Sequence, residues 1–132
     1  MKNTFDIIDR IFSLLYVTAV RNTIDGSIYR NKRPLGNETR DIVIVALPIS
    51  GGADLQEGTF FVNCFVKNQP NGQPNESYLE ATMNAVTAIL NGYSASSEYF
   101  TCDIIAQTVF PDETSDQWSY GSIRVNYVIS NP

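Results

Sequence analysis

The chain has 132 residues, with 9 Lys or Arg, 14 Asp or Glu and no His, for a formal charge of −5. This length favours a single domain spanning 1–132, able to bury roughly 65–70% of its unfolded surface without disulfides or metal. The missing histidine removes the most frequent general base and transition-metal ligand, and the negative balance argues against coating nucleic acid by bulk charge. The charge is uneven. Residues 1–40 carry seven basic and four acidic side chains, residues 41–132 two and ten. Such polarity suits head-to-tail contact between copies, with ordinary surface scatter as the alternative.

The N-terminal run Ile11 to Val20 is broken by Ser13 and Thr18 and preceded by Asp6 and Asp9, so no signal peptide is expected. No apolar run reaches the ~18 residues of a membrane span. Phe5 to Val20 reads as a first helix, with Ile8, Ile11, Phe12 and Leu15 on one stripe and Asn3 or Thr4 as cap. A turn over 22–26 leads to Ser27–Arg33, a short polar strand ended by Pro34 and suited to a sheet edge. Asp41 to Ile49 is apolar on both parities and reads as a strand covered on both faces.

Ser50 to Gly58 is a glycine-rich hairpin arm without the Gly-Lys-[ST] of a phosphate loop. Thr59 to Lys67 is its partner strand, with Phe60, Val62, Cys64 and Val66 on one face. Asn68 to Asn75 has turn chemistry only. Glu76 to Gly92 has the clearest helical period: Leu79, Met83, Val86 and Leu90 share a face, Asn75 caps the start and Gly92 ends it. Glu98 to Phe110 reads as a strand whose even positions face the core. After the turn PDETSD, Gln117 to Ile129 returns. Its apolar phase changes at Gly121–Ser122, which predicts a β-bulge there. The expected fold is α+β, a mainly antiparallel sheet of about five strands in the order α-β-β-β-α-β-β, with two helices packed on it. Cys64 and Cys102 read as reduced core residues, with a structural disulfide between them as the alternative.

No catalytic constellation emerges, and no metal or other cofactor is implied. The acids Asp54 and Glu57, and Asp112 and Glu113, lie in turn-rich loops, where solvated charge is the simpler reading. Tyr29, Arg30, Lys32, Arg33 and Arg40 form the basic cluster, open to solvation, to subunit contact or to single-stranded nucleic acid. Aromatics at 60, 61, 65, 99, 100, 118, 120 and 127 exceed what one sheet face needs. Some are expected to be buried only on assembly.

The order of an amphipathic helix, the short strand IYRNKRP, an apolar hairpin, a second helix and two long closing strands resembles the tail-terminator and tail-completion (neck) proteins of tailed bacteriophages. The loop at 68–75 is longer than that pattern. The resemblance implies a non-enzymatic virion protein, made in the bacterial cytoplasm. It would form a homo-oligomeric ring, six- or twelve-fold, between portal or adaptor and tail proteins, with DNA passing through unread and no membrane involved. On that reading Arg30, Lys32, Arg33 and Arg40 would meet acids of a neighbouring subunit around Asp112, Glu113 and Asp116. The arm carrying Asp54 and Glu57 and the loop at 68–75 would touch the next ring. The rival reading is a small-ligand-binding or enzymatic α+β domain with a pocket between helix 76–92 and the sheet.

Overall fold

The computed structural model describes residues 3–51, 55–95, 99–113 and 115–130. Helix α1 is Thr4–Leu15, opened by a capping box in which Asn3 accepts from the Asp6 N–H and Asp6 accepts from the Asn3 N–H. It ends earlier than its sequence predicts. Tyr16 leaves helical geometry, and a one-turn helix, α2 (Thr18–Arg21), follows. The reason lies in the stripe. Past Leu15 a continuous helix would present Thr18 and Ala19 to the core, whereas the break re-aims Val20, which is fully buried.

The strands are β1 (Ile28–Arg30), β2 (Ile42–Ala46), β3 (Ser50–Gly51), β4 (Leu55–Lys67), β5 (Tyr93–Ala95), β6 (Phe100–Pro111) and β7 (Trp118–Ser130). Helix α3 is Glu76–Leu90, capped by Asn75, with Leu79, Met83, Val86 and Leu90 buried as their spacing requires. The sheet runs β1-β2-β4-β7-β6-β5, with β3 added beside the start of β4. Among the described residues there are therefore seven strands rather than about five, and three helices rather than two. β1 is an edge strand as expected, but it pairs parallel to β2. The glycine-rich arm begins as the β3–β4 pairing. Asp54, with 52 and 53, lies outside the described residues.

All three helices lie on one face of the sheet and share one apolar cluster with Phe60, Val62, Cys64, Val66, Ile123, Val125, Tyr127 and Ile129. The bulge expected at Gly121–Ser122 is absent from β7. β7 runs in uninterrupted register with β4, and the irregularity sits in β6 between Ile104 and Ala106. The change of apolar parity in β7 has another cause: Trp118 and Tyr120 belong to the opposite face. In β6 the extra residue, Ile105, swaps the faces. Phe100 and Cys102 point to the helices, but Phe110 beyond the bulge pairs with Tyr120 on the other side.

Gly58 lies directly opposite Tyr127, and a Cβ there would stand 2.6 Å from its Oη and 2.9 Å from Cζ. The Tyr127 ring thus occupies the space a side chain would take. Its Oη is buried without a hydrogen-bond partner. Gly58→Ala is expected to lower unfolding free energy by about 1–3 kcal/mol, because a rigid ring must move. Tyr127→Phe should be neutral or slightly stabilising, because it removes an unsatisfied hydroxyl. Chemical denaturation of both variants checks this pair.

Cys64 and Cys102 are free and buried, as the sequence implied. Burial pushes the Cys64 thiol up to about 12 and, with Asp103 beside it, Cys102 up to about 11. At pH 8 both remain protonated in the folded chain. Native labelling by a thiol reagent should therefore run at about a hundredth of the rate in denaturant or slower.

Candidate interaction surface

The second sheet face carries no helix among the described residues. It is organised by loop 31–41, which crosses over from β1 to β2. Asp41 is fully buried at the loop's end. Its Oδ1 accepts from the Ser27 N–H at 3.0 Å and the Thr39 hydroxyl at 2.8 Å, and its Oδ2 accepts from Asn37 Nδ2 at 2.7 Å. Arg33 Nη1 lies 3.7 Å from Oδ2, and Arg33 also donates to the Asn37 carbonyl. Gly26 makes room for the carboxylate, since a Cβ there would fall 1.8 Å from Asp41 Oδ1. The loop's outer turn, Pro34 to Asn37, closes on an Asn37 N–H bond to the Pro34 carbonyl with Gly36 at φ +75°. That is the geometry of a type II turn. It holds Leu35 out at 89% exposure.

Arg33 continues inward. Its guanidinium lies over Phe65 and Trp118, 4.6 and 4.5 Å from their centroids, and its side chain is only 12% exposed. From Phe65 an aromatic row crosses three strands. Phe65 pairs with Tyr120 and Tyr120 with Phe110, in direct register, with ring centroids 5.1 and 5.6 Å apart. Such cross-strand pairs stabilise a sheet by roughly 0.2–1 kcal/mol each. Between the loop and this row lies a cleft of about 490 Å³, floored by Val43, Val45, Asn63 and Phe65 and bounded across by Asp112, Ser115 and Trp118. Asn63 Oδ1 and Arg33 Nη1, both lining it, are buried without hydrogen-bond partners.

The sequence-predicted contact residues divide. Lys32 and Arg33 share the cleft with Asp112, so basic loop and acidic turn meet within one subunit. Arg30 pairs with Asp9 and lies over Phe12. Arg40 stacks 4.0 Å from the Tyr78 centroid, with Asp25 Oδ2 3.8 Å from its Nη1. The three arginines are therefore engaged by acids of their own chain; Arg30 and Lys32 are the exposed cations of the group. Glu57 is exposed on β4, opposite Val128 and Ser50 and far along the strand from the cleft. Glu113 and Asp116 are exposed in the β6–β7 turn. There Asn68 ties the 68–75 loop to the turn through the Asp116 and Gln117 carbonyls and Ser119. Loop 31–38, loop 68–75 and turn 112–117 thus form one rim at one end of the sheet. Asp41 and Asn63 were not singled out by sequence reasoning. An acid opening an apolar strand, fourteen residues after a Gly-Ser, was the available signal for Asp41.

Of the alternative's pocket between α3 and the sheet, the part over β7 is filled, since Leu79 and Met83 press onto Gly121 and a Cβ there would meet Met83 Sδ at 2.3 Å; an open groove remains between α3 and β6. Among the described residues, no three His, Cys, Asp or Glu side chains gather in a metal-holding group, and no helix is long and apolar enough to cross a membrane.

No protein-family model matches the chain, and no curated protein sequence matches it. Solved structures do. The chain is similar to one in the virion of a native gene transfer agent particle, with TM-score 0.64 and 10% identity over 92% of each chain. A second solved protein, which carries no functional name, matches with TM-score 0.59 and 10% identity over 98% of this chain and 97% of its own. At such identity the shared property is the fold.

Asp41→Ala is expected to destabilise the chain by about 3–5 kcal/mol, because it strands Arg33 and the Ser27 and Asn37 donors in a buried site. Urea denaturation measures it, and a loss below about 1 kcal/mol would contradict the role given to this carboxylate.

Proposed function

We propose that this chain is a structural, non-enzymatic protein of a tailed-phage-like virion. In this reading it forms a homo-oligomeric ring at the head–tail junction, as a neck or tail-terminator component, and acts within the virion. The observation that carries the reading is the fold shared, nearly end to end, with a chain of a gene transfer agent virion. The helix-free sheet face supports it. An aromatic row edged by an almost fully exposed leucine is the composition of a surface buried on association. In this reading Leu35 and Lys32 of one copy meet the rim of the next, around Asp112, Glu113 and Asp116. Arg30, Arg33 and Arg40 position the contact from within their own subunit. The arm with Glu57, together with Asp54, and the loop at 68–75 face the rings above and below, portal or adaptor on one side and tail on the other. A net charge of −5 suits a channel through which DNA slides without being held.

Light scattering across concentration and salt tests the reading. A mass of six or twelve chains, or a monomer assembling into one as concentration rises, is the expected result. Leu35→Asp should leave the monomer folded and abolish the ring, and Lys32→Glu should weaken it more at low salt than at high. A monomer at every concentration, or a ring indifferent to Leu35→Asp, would overturn the assignment of this surface.

A further inference from the structure

The far edge of the sheet is mostly uncovered. β5 pairs with β6 only over Phe100–Cys102, whereas β6 continues to Pro111. Among the described residues no strand lies beside the outer edge of β6 past Cys102. From Ile104 to Phe110 this edge has no charged residue, and Val109 and Phe110 are 49% and 43% exposed. Edges of this length are ordinarily shielded by lysine, proline or a covering element. Here the bulge at Ile105 and Pro111 stand only at the two ends of the stretch, leaving Ala106–Phe110 as a regular strand with one free side.

Beside that free side runs a groove of about 380 Å³ between β6 and α3. Leu79, Met83 and Val109 form its apolar floor, and Glu76, Glu80 and Asn84 its rim. Gln107 Nε2 reaches Thr87 Oγ1 at 3.3 Å and closes one end. An extended polypeptide added beside β6 would bond its backbone to the free edge and drop alternate side chains into this groove. The two glutamates, with no basic residue lining the groove, favour a cation on the incoming strand.

We propose that the β6 edge and the α3 groove together bind an extended segment of another protein, one alternating apolar residues with a lysine or arginine, by strand addition. The occupant is assigned to another protein rather than to a second copy. The cation-bearing edge strand of this chain, β1, spans only three residues, too short to cover Ala106–Phe110, and its Arg30 is paired with Asp9. The inference does not rest on the ring, which uses the other sheet face; the two surfaces adjoin at Phe110.

The test uses the full chain and a displayed library of random linear heptapeptides. Selection should enrich peptides with apolar residues at alternate positions and at least one Lys or Arg. An enriched peptide should shift the backbone amide resonances of Ala106 to Phe110 and leave those of loop 31–38 in place. Val109→Glu, on a half-exposed edge position, should keep the Tm and weaken that peptide at least tenfold, and Glu80→Lys should shift selection away from cationic peptides. Failure to enrich any such motif, or binders indifferent to Val109→Glu, overturns the proposal. So does concentration-dependent amide protection of 106–109 in Leu35→Asp protein, which cannot form the ring, because a second copy would then fill the edge. Ring formation by Val109→Glu protein distinguishes failure here from failure of the ring assignment.

Discussion

A buried carboxylate decides the shape of the working surface. Asp41 is fully removed from water and holds four groups around it: a backbone N–H, a hydroxyl, an amide and, slightly farther off, a guanidinium. An isolated buried charge costs several kcal/mol, so these partners must stay in place together. They belong to the turn before β1 and to loop 31–41. Satisfying one side chain therefore fixes the loop against the sheet. Arg33, drawn in by the same node, lies over Phe65 and Trp118 and joins the loop to the aromatic row. A loop without this anchor would expose Val43 and the row together.

The two sheet faces consequently do different work. One is sealed by α1, α2 and α3 and holds the apolar cluster. The other is covered only along one margin, by a loop. The bulge at Ile105 matters to both: before it, β6 gives Phe100 and Cys102 to the core, and after it Phe110 to the open row. One extra residue thus lengthens the exposed aromatic stripe without removing side chains from the core. The same strand then outruns its neighbour β5 and, among the described residues, leaves an unpaired edge. Among the described residues one face and one edge thus stay open, and each is a surface another chain could cover.

Local pattern was legible in the sequence, and non-local pairing was not. Helix α3 followed from its period and cap, and β1 was placed at an edge from its charges and Pro34. The two cysteines were read as core from their neighbours. These signals sit within a few residues. The parallel pairing of β1 with β2 was hidden because a loop, not a helix, makes the crossover. The bulge was placed in the wrong strand for a related reason. A change of parity in β7 looks the same whether the backbone slips or the residues belong to the other face, and only the partner strand distinguishes them. The basic cluster read as a contact patch because Arg30, Arg33 and Arg40 lie close together in sequence. Their partners Asp9, Asp41 and Asp25 are acids whose proximity comes from folding. What stays most outward, Leu35, is set by a turn whose geometry only Gly36 signals.

The central claim is that assembly buries the open face and leaves the helical face in solvent. Hydroxyl-radical footprinting of the dilute and the concentrated protein, read by mass spectrometry, tests it most directly. The account predicts that Leu35, Phe110 and Tyr120 are oxidised in the dilute protein and protected on concentration, while Phe5 and Tyr16 on α1 and its C-cap are oxidised equally in both. Protection of Phe5 and Tyr16, with Leu35 and Phe110 still reactive, would contradict it and place the contact on the helices.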